Sequence, residues 1–74
     1  MNITVKLFAQ FRKNRFNIKE MAVPEGTAVS DILNMLEIDC DKTGVVFVNG
    51  KRSGIDNILG ENDSLSVFPK IGGG

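Results

Sequence analysis

From Met1 to Phe8 the chain alternates: Ile3, Val5 and Leu7 share one parity, and Asn2, Thr4, Lys6 and Phe8 share the other. A period of two sends each set to its own face of a strand, so this segment predicts a half-buried strand. Residues 9–15 include Arg12, Lys13, Asn14 and Arg15, a stretch that reads as a solvated loop turning the chain back into an antiparallel second strand over residues 16–23. There Phe16 and Ile18 have one parity and Met21 and Val23 the other, which a bulge between them would reconcile. Pro24-Glu25-Gly26 predicts a turn, and Thr27 stands where a helix N-cap belongs, its hydroxyl accepting from the amide of Ser30. Val29, Ile32, Leu33 and Leu36 then recur with the spacing of one apolar helical stripe, with Asp31, Asn34 and Glu37 on the wet side.

Residues 39–44 end the helical pattern. The β-branched and aromatic run of residues 45–48 leads into Asn49-Gly50, a strong hairpin signal. Residues 52–59 offer a short edge strand or a turn of helix, residues 60–63 form another turn, and residues 64–68 alternate again. One helix covering a single face of a four- to five-stranded mixed sheet is an α+β domain. At 74 residues there is room for one core only.

Composition removes several function classes. Nine Lys plus Arg balance nine Asp plus Glu, which is unlike the basic excess of a dedicated nucleic-acid binder. With no His and a single Cys, the chain lacks the ligand set of a zinc or iron site and the usual general base of hydrolytic chemistry. No bound cofactor and no metal are expected, and the chain by itself is not expected to be an enzyme. Cys40 has no partner for a disulfide, which fits a reducing compartment, and reads as a small packed residue near the helix end. No apolar run approaches a membrane span and no signal segment opens the chain, so a cytoplasmic location is expected.

The remaining feature is the end of the sequence, where Leu65-Ser66-Val67-Phe68 runs through Pro69-Lys70-Ile71 into Gly72-Gly73-Gly74 without a polar linker. Glycines before a free carboxylate leave no side-chain bulk near it, so such an end can thread a narrow channel in another protein. Five segments in this order resemble the ubiquitin-like sulfur carriers of the MoaD and ThiS group: residues 5–12, residues 23–29, Val46-Phe47-Val48-Asn49-Gly50, Gly60-Glu61-Asn62-Asp63 and residues 68–74. The basic loop after the first strand is more similar to MoaD, the small subunit of molybdopterin synthase, than to ThiS of thiamin synthesis.

The resemblance implies a β-grasp domain over residues 1–74, with residues 69–74 as a flexible C-terminal tail. It implies that a ubiquitin-activating-type enzyme, MoeB-like or ThiF-like, uses ATP to adenylate the carboxylate of Gly74. The adenylate is then converted to a thiocarboxylate that donates sulfur within a complex with a MoaE-like large subunit. Gly73 and Gly74 would be the reactive end, and Pro69, Lys70, Ile71 and Gly72 the segment entering the partner. Lys70 and Gly72 depart from the family tail, which commonly has a second Pro and a small residue there. Alternatives are a thiamin-type carrier and, of a different class, a protein modifier joined to its targets through Gly74.

In a ubiquitin-like sheet the first, last and third strands lie side by side. Phe8, Phe47 and Phe68 have the opposite parity to Ile3, Val5, Leu7, Val46, Val48, Leu65 and Val67, which places the three rings together on the open face as a partner-binding patch. Ordering residues 69–74 costs about 6–12 kcal/mol. Burying three aromatic side chains at about 1.5–3 kcal/mol each is of the order needed to offset that. Fully extended, the six residues reach at most about 20 Å. Arg12, Lys13, Arg15 and Lys19 read as a solvated loop and strand face.

Overall fold

The computed structural model describes residues 1–71. Its strands are β1 (Asn2–Leu7), β2 (Ile18–Ala22), β3 (Thr43–Val48), β4 (Lys51–Ser53) and β5 (Ser64–Pro69). The helix α1 spans Val29–Met35, and 3-10 turns cover Ala9–Arg12 and Cys40–Lys42. The strands form one mixed sheet in the order β2-β1-β5-β3-β4. β1 and β5 are parallel; β1–β2, β3–β4 and β3–β5 are antiparallel. No helix among the described residues is long and apolar enough to cross a membrane.

The alternation of β1 and β5 sorts their side chains as the sequence predicts. Ile3, Val5, Leu7, Leu65 and Val67 are buried under α1, which contributes Val29, Ile32 and Leu33. The Asn49-Gly50 hairpin is also present. Both residues take positive φ, 52° and 80°, as the tight turn with the right twist for a hairpin requires. Asn49 ties this turn to the next one: its Nδ2 donates to Asp63 Oδ1 at 2.8 Å, and its Oδ1 accepts from the Ser64 amide at 2.9 Å.

β2 needs no bulge. Its register against β1 is unbroken from Ile18 opposite Lys6 to Ala22 opposite Asn2. Met21 and Val23 point towards the core, while Ile18 is 59% exposed on the other face. Phe16 precedes the strand, where alternation does not apply, and packs against the core from the loop.

The N-cap expectation also needs correction. The helix is entered from Ala28, and the Thr27 hydroxyl donates to the Pro24 carbonyl at 2.7 Å instead of accepting from Ser30. The first free amides of α1 are satisfied by distant backbone: Val29 donates to Asn57 O at 3.0 Å and Ser30 to Ile55 O at 2.8 Å. Asp31 contributes an acceptor for the Ala28 amide at 2.9 Å.

Arg12, Lys13, Arg15 and Lys19 are exposed, as the solvated reading has it, and two of them also hold the loop in place. Phe11 is buried, and Arg12 Nε donates to the Leu7 carbonyl at 2.7 Å. Arg15 reaches the far end of α1, where Nε donates to Leu36 O at 3.0 Å and Nη2 to Glu37 O at 3.1 Å, while Nη1 takes Phe11 O at 3.2 Å. These carbonyls include the ones a helix C-terminus leaves without partners. Arg15→Ala is therefore expected to lower stability by about 1–2 kcal/mol in urea denaturation, with Arg15→Lys recovering only part because an ammonium cannot reproduce the fork.

Candidate functional site

Two features meet at one end of the open face: an aromatic cluster and the exit of the C-terminal segment. β1 stops at Leu7, and Ala9 takes a left-handed φ of 53°, so the chain leaves the sheet directly after Phe8. The Phe8 ring stacks on Phe68 of β5, with centroids 4.1 Å apart and planes 12° from parallel. Phe47 of β3 meets Phe68 edge-on at 5.8 Å and 85°. The Arg12 guanidinium carbon lies 5.1 Å from the Phe8 ring centroid, a cation over an aromatic face. All three rings are half-buried. The parity argument thus puts Phe8, Phe47 and Phe68 together on the face opposite α1.

The exit itself differs from the expected tail. β5 continues to Pro69, which pairs with Thr43, and the Lys70 amide donates to the Lys42 carbonyl at 2.9 Å. Pro69 can occupy a strand here because of which way it points. Ser64 O accepts from the Asn49 amide and Lys70 N–H bonds Lys42, so the even-numbered residues of β5 direct their backbone groups to β3. The Pro69 nitrogen faces the other side, where β1 has already ended, and its missing N–H removes no ladder bond. The segment read as a tail from residue 69 is therefore anchored through Lys70. Ile71 beyond it is 95% exposed.

Gly44 makes this anchoring possible, and the sequence reading missed it. A register shift between Thr43 and Val45 puts Gly44 in a bulge against the end of β5. A Cβ on Gly44 would lie 2.7 Å from the Pro69 carbonyl oxygen and 3.0 Å from both N and Cα of Lys70. Only a bare backbone lets the two strands approach this closely. A glycine directly before a β-branched run was the available signal, but it reads equally well as the end of the preceding turn.

Beside the exit lies an apolar hollow of about 460 Å³ lined by Ala9, Gln10, Val45, Phe68, Pro69, Lys70 and Ile71. Cys40 is half-buried against the core, and no group of three or more metal-ligating side chains is gathered among the described residues. Gly72, Gly73 and Gly74, the expected reactive end, lie outside the described residues.

The model of the ThiS family matches residues 5–74. No curated protein matches the chain significantly. Among solved structures, a putative molybdopterin converting factor subunit 1 from Pyrococcus furiosus is similar, at 26% identity and a TM-score of 0.77, over 96% of this chain and 99% of that one. Small archaeal modifier protein 1 of Haloferax volcanii gives 20% identity and a TM-score of 0.75, over 95% and 98%. A complex of subunits 1 and 2 of molybdopterin-converting factor from Helicobacter pylori 26695 includes a chain at 14% identity and a TM-score of 0.66, with full coverage of both. The architecture shared with these neighbours is the ubiquitin-like β-grasp.

Proposed function

The chain belongs to the ThiS family, and from that premise we propose that it is a sulfur carrier for molybdopterin synthesis, acting through the carboxyl group of Gly74. One observation carries the reading: β5 leaves the sheet beside a three-ring aromatic cluster and is pinned at Lys70, within a family match that extends to Gly74. A body surface and a directed chain end next to each other are what a protein needs when another protein must process its terminus.

The chemistry requires activation from outside. A carboxylate resists nucleophiles, so its oxygen first attacks the α-phosphorus of ATP and pyrophosphate leaves. A sulfur nucleophile then attacks the acyl carbon and AMP departs: hydrosulfide gives the thiocarboxylate directly, whereas a donor persulfide gives an acyl disulfide that a thiol cleaves, supplying two electrons and leaving as a disulfide with the donor. The catalytic groups and the ATP site belong to a ubiquitin-activating-type enzyme, and the chain supplies the acceptor. Phe8, Phe47 and Phe68 dock on the partner while Pro69, Lys70, Ile71 and Gly72 lead Gly73 and Gly74 into its channel. With residues 69 and 70 already held by β3, about 2–4 kcal/mol of ordering cost is met before binding. From Lys70 to Gly74 the chain spans at most about 14 Å, which sets how deep the partner's reacting centre can lie below the docking face.

The sulfur acceptor is bound by a MoaE-like large subunit. The Pyrococcus neighbour and the two-subunit Helicobacter complex favour this over thiamin synthesis, as does the basic loop after β1. The likeness to the archaeal modifier favours one second reading, in which Gly74 is joined to a lysine of a target protein. A strain lacking the gene separates these: loss of molybdoenzyme activity with normal thiamin is expected, restored by the native chain. A thiamin requirement, or a ladder of conjugates carrying the tagged chain with molybdoenzymes intact, would overturn the molybdopterin assignment.

A further inference from the structure

The zero net charge of the chain conceals an uneven distribution. Register places Arg52 of β4, Phe47 of β3, Ser66 of β5, Lys6 of β1 and Ile18 of β2 in one row across the open face. In the adjoining row Phe68 is paired with Val45 and carries Phe8 stacked upon it, with Arg12 over that ring and Lys70 just past the strand end. The aromatic cluster is thus bordered by Lys6, Arg12, Arg52 and Lys70. Glu20, opposite Thr4 on the edge strand, is the one carboxylate among the strand residues of this face. Eight of the nine acidic residues in the sequence lie elsewhere, in α1, the turns and the loops.

We propose that the open face docks a protein surface in which an apolar site is flanked by carboxylates, with Lys6 and Arg52 as the two charge contacts on either side of the rings. Three strand spacings separate Lys6 from Arg52, about 14 Å, so the carboxylates that meet them stand about that far apart. Cations over aromatics also suit single-stranded nucleic acid, but that mode needs ring faces open for bases to stack on. Phe8 and Phe68 stack face to face and Arg12 lies over the Phe8 ring, so two of the three rings are already stacked and are not open platforms for bases. A balanced net charge is likewise unlike a nucleic-acid binder. Naming the partner as the activating enzyme rests on the carrier reading; the surface itself does not.

The test is an NMR titration of the full chain with three probes: a peptide of leucine and phenylalanine flanked by glutamates, its counterpart with lysines in place of the glutamates, and oligouridylate. The glutamate peptide is expected to shift the amides of Lys6, Phe47, Arg52 and Ser66, more weakly as salt rises. Lys6→Glu and Arg52→Glu are each expected to raise its Kd about five- to tenfold. Their separation exceeds the screening length, so the double variant should show close to the product of the two effects. Lys13→Glu, on the 3-10 loop, should leave Kd unchanged. Equal binding of the lysine peptide at these amides, tighter binding of oligouridylate there, or no shift with any probe would overturn the proposal. A chain that binds the glutamate peptide but is never adenylated would refute the carrier reading alone. Adenylation indifferent to salt and to both reversals would refute the charge contacts alone.

Discussion

Gly44→Val is expected to reduce activation of the chain end about ten- to a hundredfold while the domain stays folded. The reason is local and steric. A Cβ at residue 44 would stand 2.7 Å from the Pro69 carbonyl oxygen and 3.0 Å from the Lys70 backbone, and main-chain atoms cannot swing aside as a flexible side-chain tip does. The end of β5 must lift from β3, breaking the hydrogen bond from Lys70 N–H to Lys42 O and changing the bearing on which the tail leaves. Stability should fall by about 1–3 kcal/mol, the usual cost of forced overpacking. The larger effect is on the reaction, because displacing a reacting group by about 1 Å can cost a hundredfold in rate. Hydrogen exchange at the Lys70 amide reports the displacement directly and should accelerate in Gly44→Val, less so in Gly44→Ala. Gly50→Ala is the control. Its φ of 80° makes the substitution strained, but nothing lies within 4 Å of the added carbon, so it should weaken the hairpin and leave tail exchange and activation near native.

Blocking Gly74 is expected to have the largest effect of any single change. One alanine added after Gly74 turns that carboxylate into an amide and moves the free carboxylate one residue further on, onto a residue that carries a methyl group where the tail is otherwise bare. Adenylation should then fall below detection, although neither the core nor the aromatic face has been altered. Gly73→Val tests the same channel without touching the carboxylate. It should raise KM, because in the proposal the added side chain must pass the narrow channel that leads to the reacting centre.

Much of this arrangement is legible in the sequence because strands declare their faces. Ile3, Val5 and Leu7 against Phe8, or Leu65 and Val67 against Phe68, differ by one residue of register, and a period of two leaves no intermediate choice. The positive-φ turn at Asn49-Gly50 is equally local. What could not be read depends on distant groups. The helix amides of Val29 and Ser30 are satisfied by carbonyls of Asn57 and Ile55, so no local cap is required and Thr27 is free to bond Pro24. Arg15 is the solvated charge it looks like, but its bonds to the carbonyls of Leu36 and Glu37 reach across more than twenty residues and have no local signal.

The candidate site divides along the same line. Parity alone gathers the three phenylalanines, whereas the anchored exit depends on a bulge at Gly44 and on β1 ending before Pro69. A proline next to a basic residue ends a strand by any local criterion. Only the strand order, with β5 between β1 and β3, shows that its nitrogen faces a vacated side.

The most direct test is the intact mass of the native chain after incubation with the ubiquitin-activating-type enzyme, ATP and a sulfur donor. The expected result is a gain equal to sulfur minus oxygen, localised to Gly74 by fragmentation and absent from the alanine-extended chain. An unchanged mass with an enzyme that converts another member of the ThiS family under the same conditions, or sulfur found on Cys40 instead, would contradict the account.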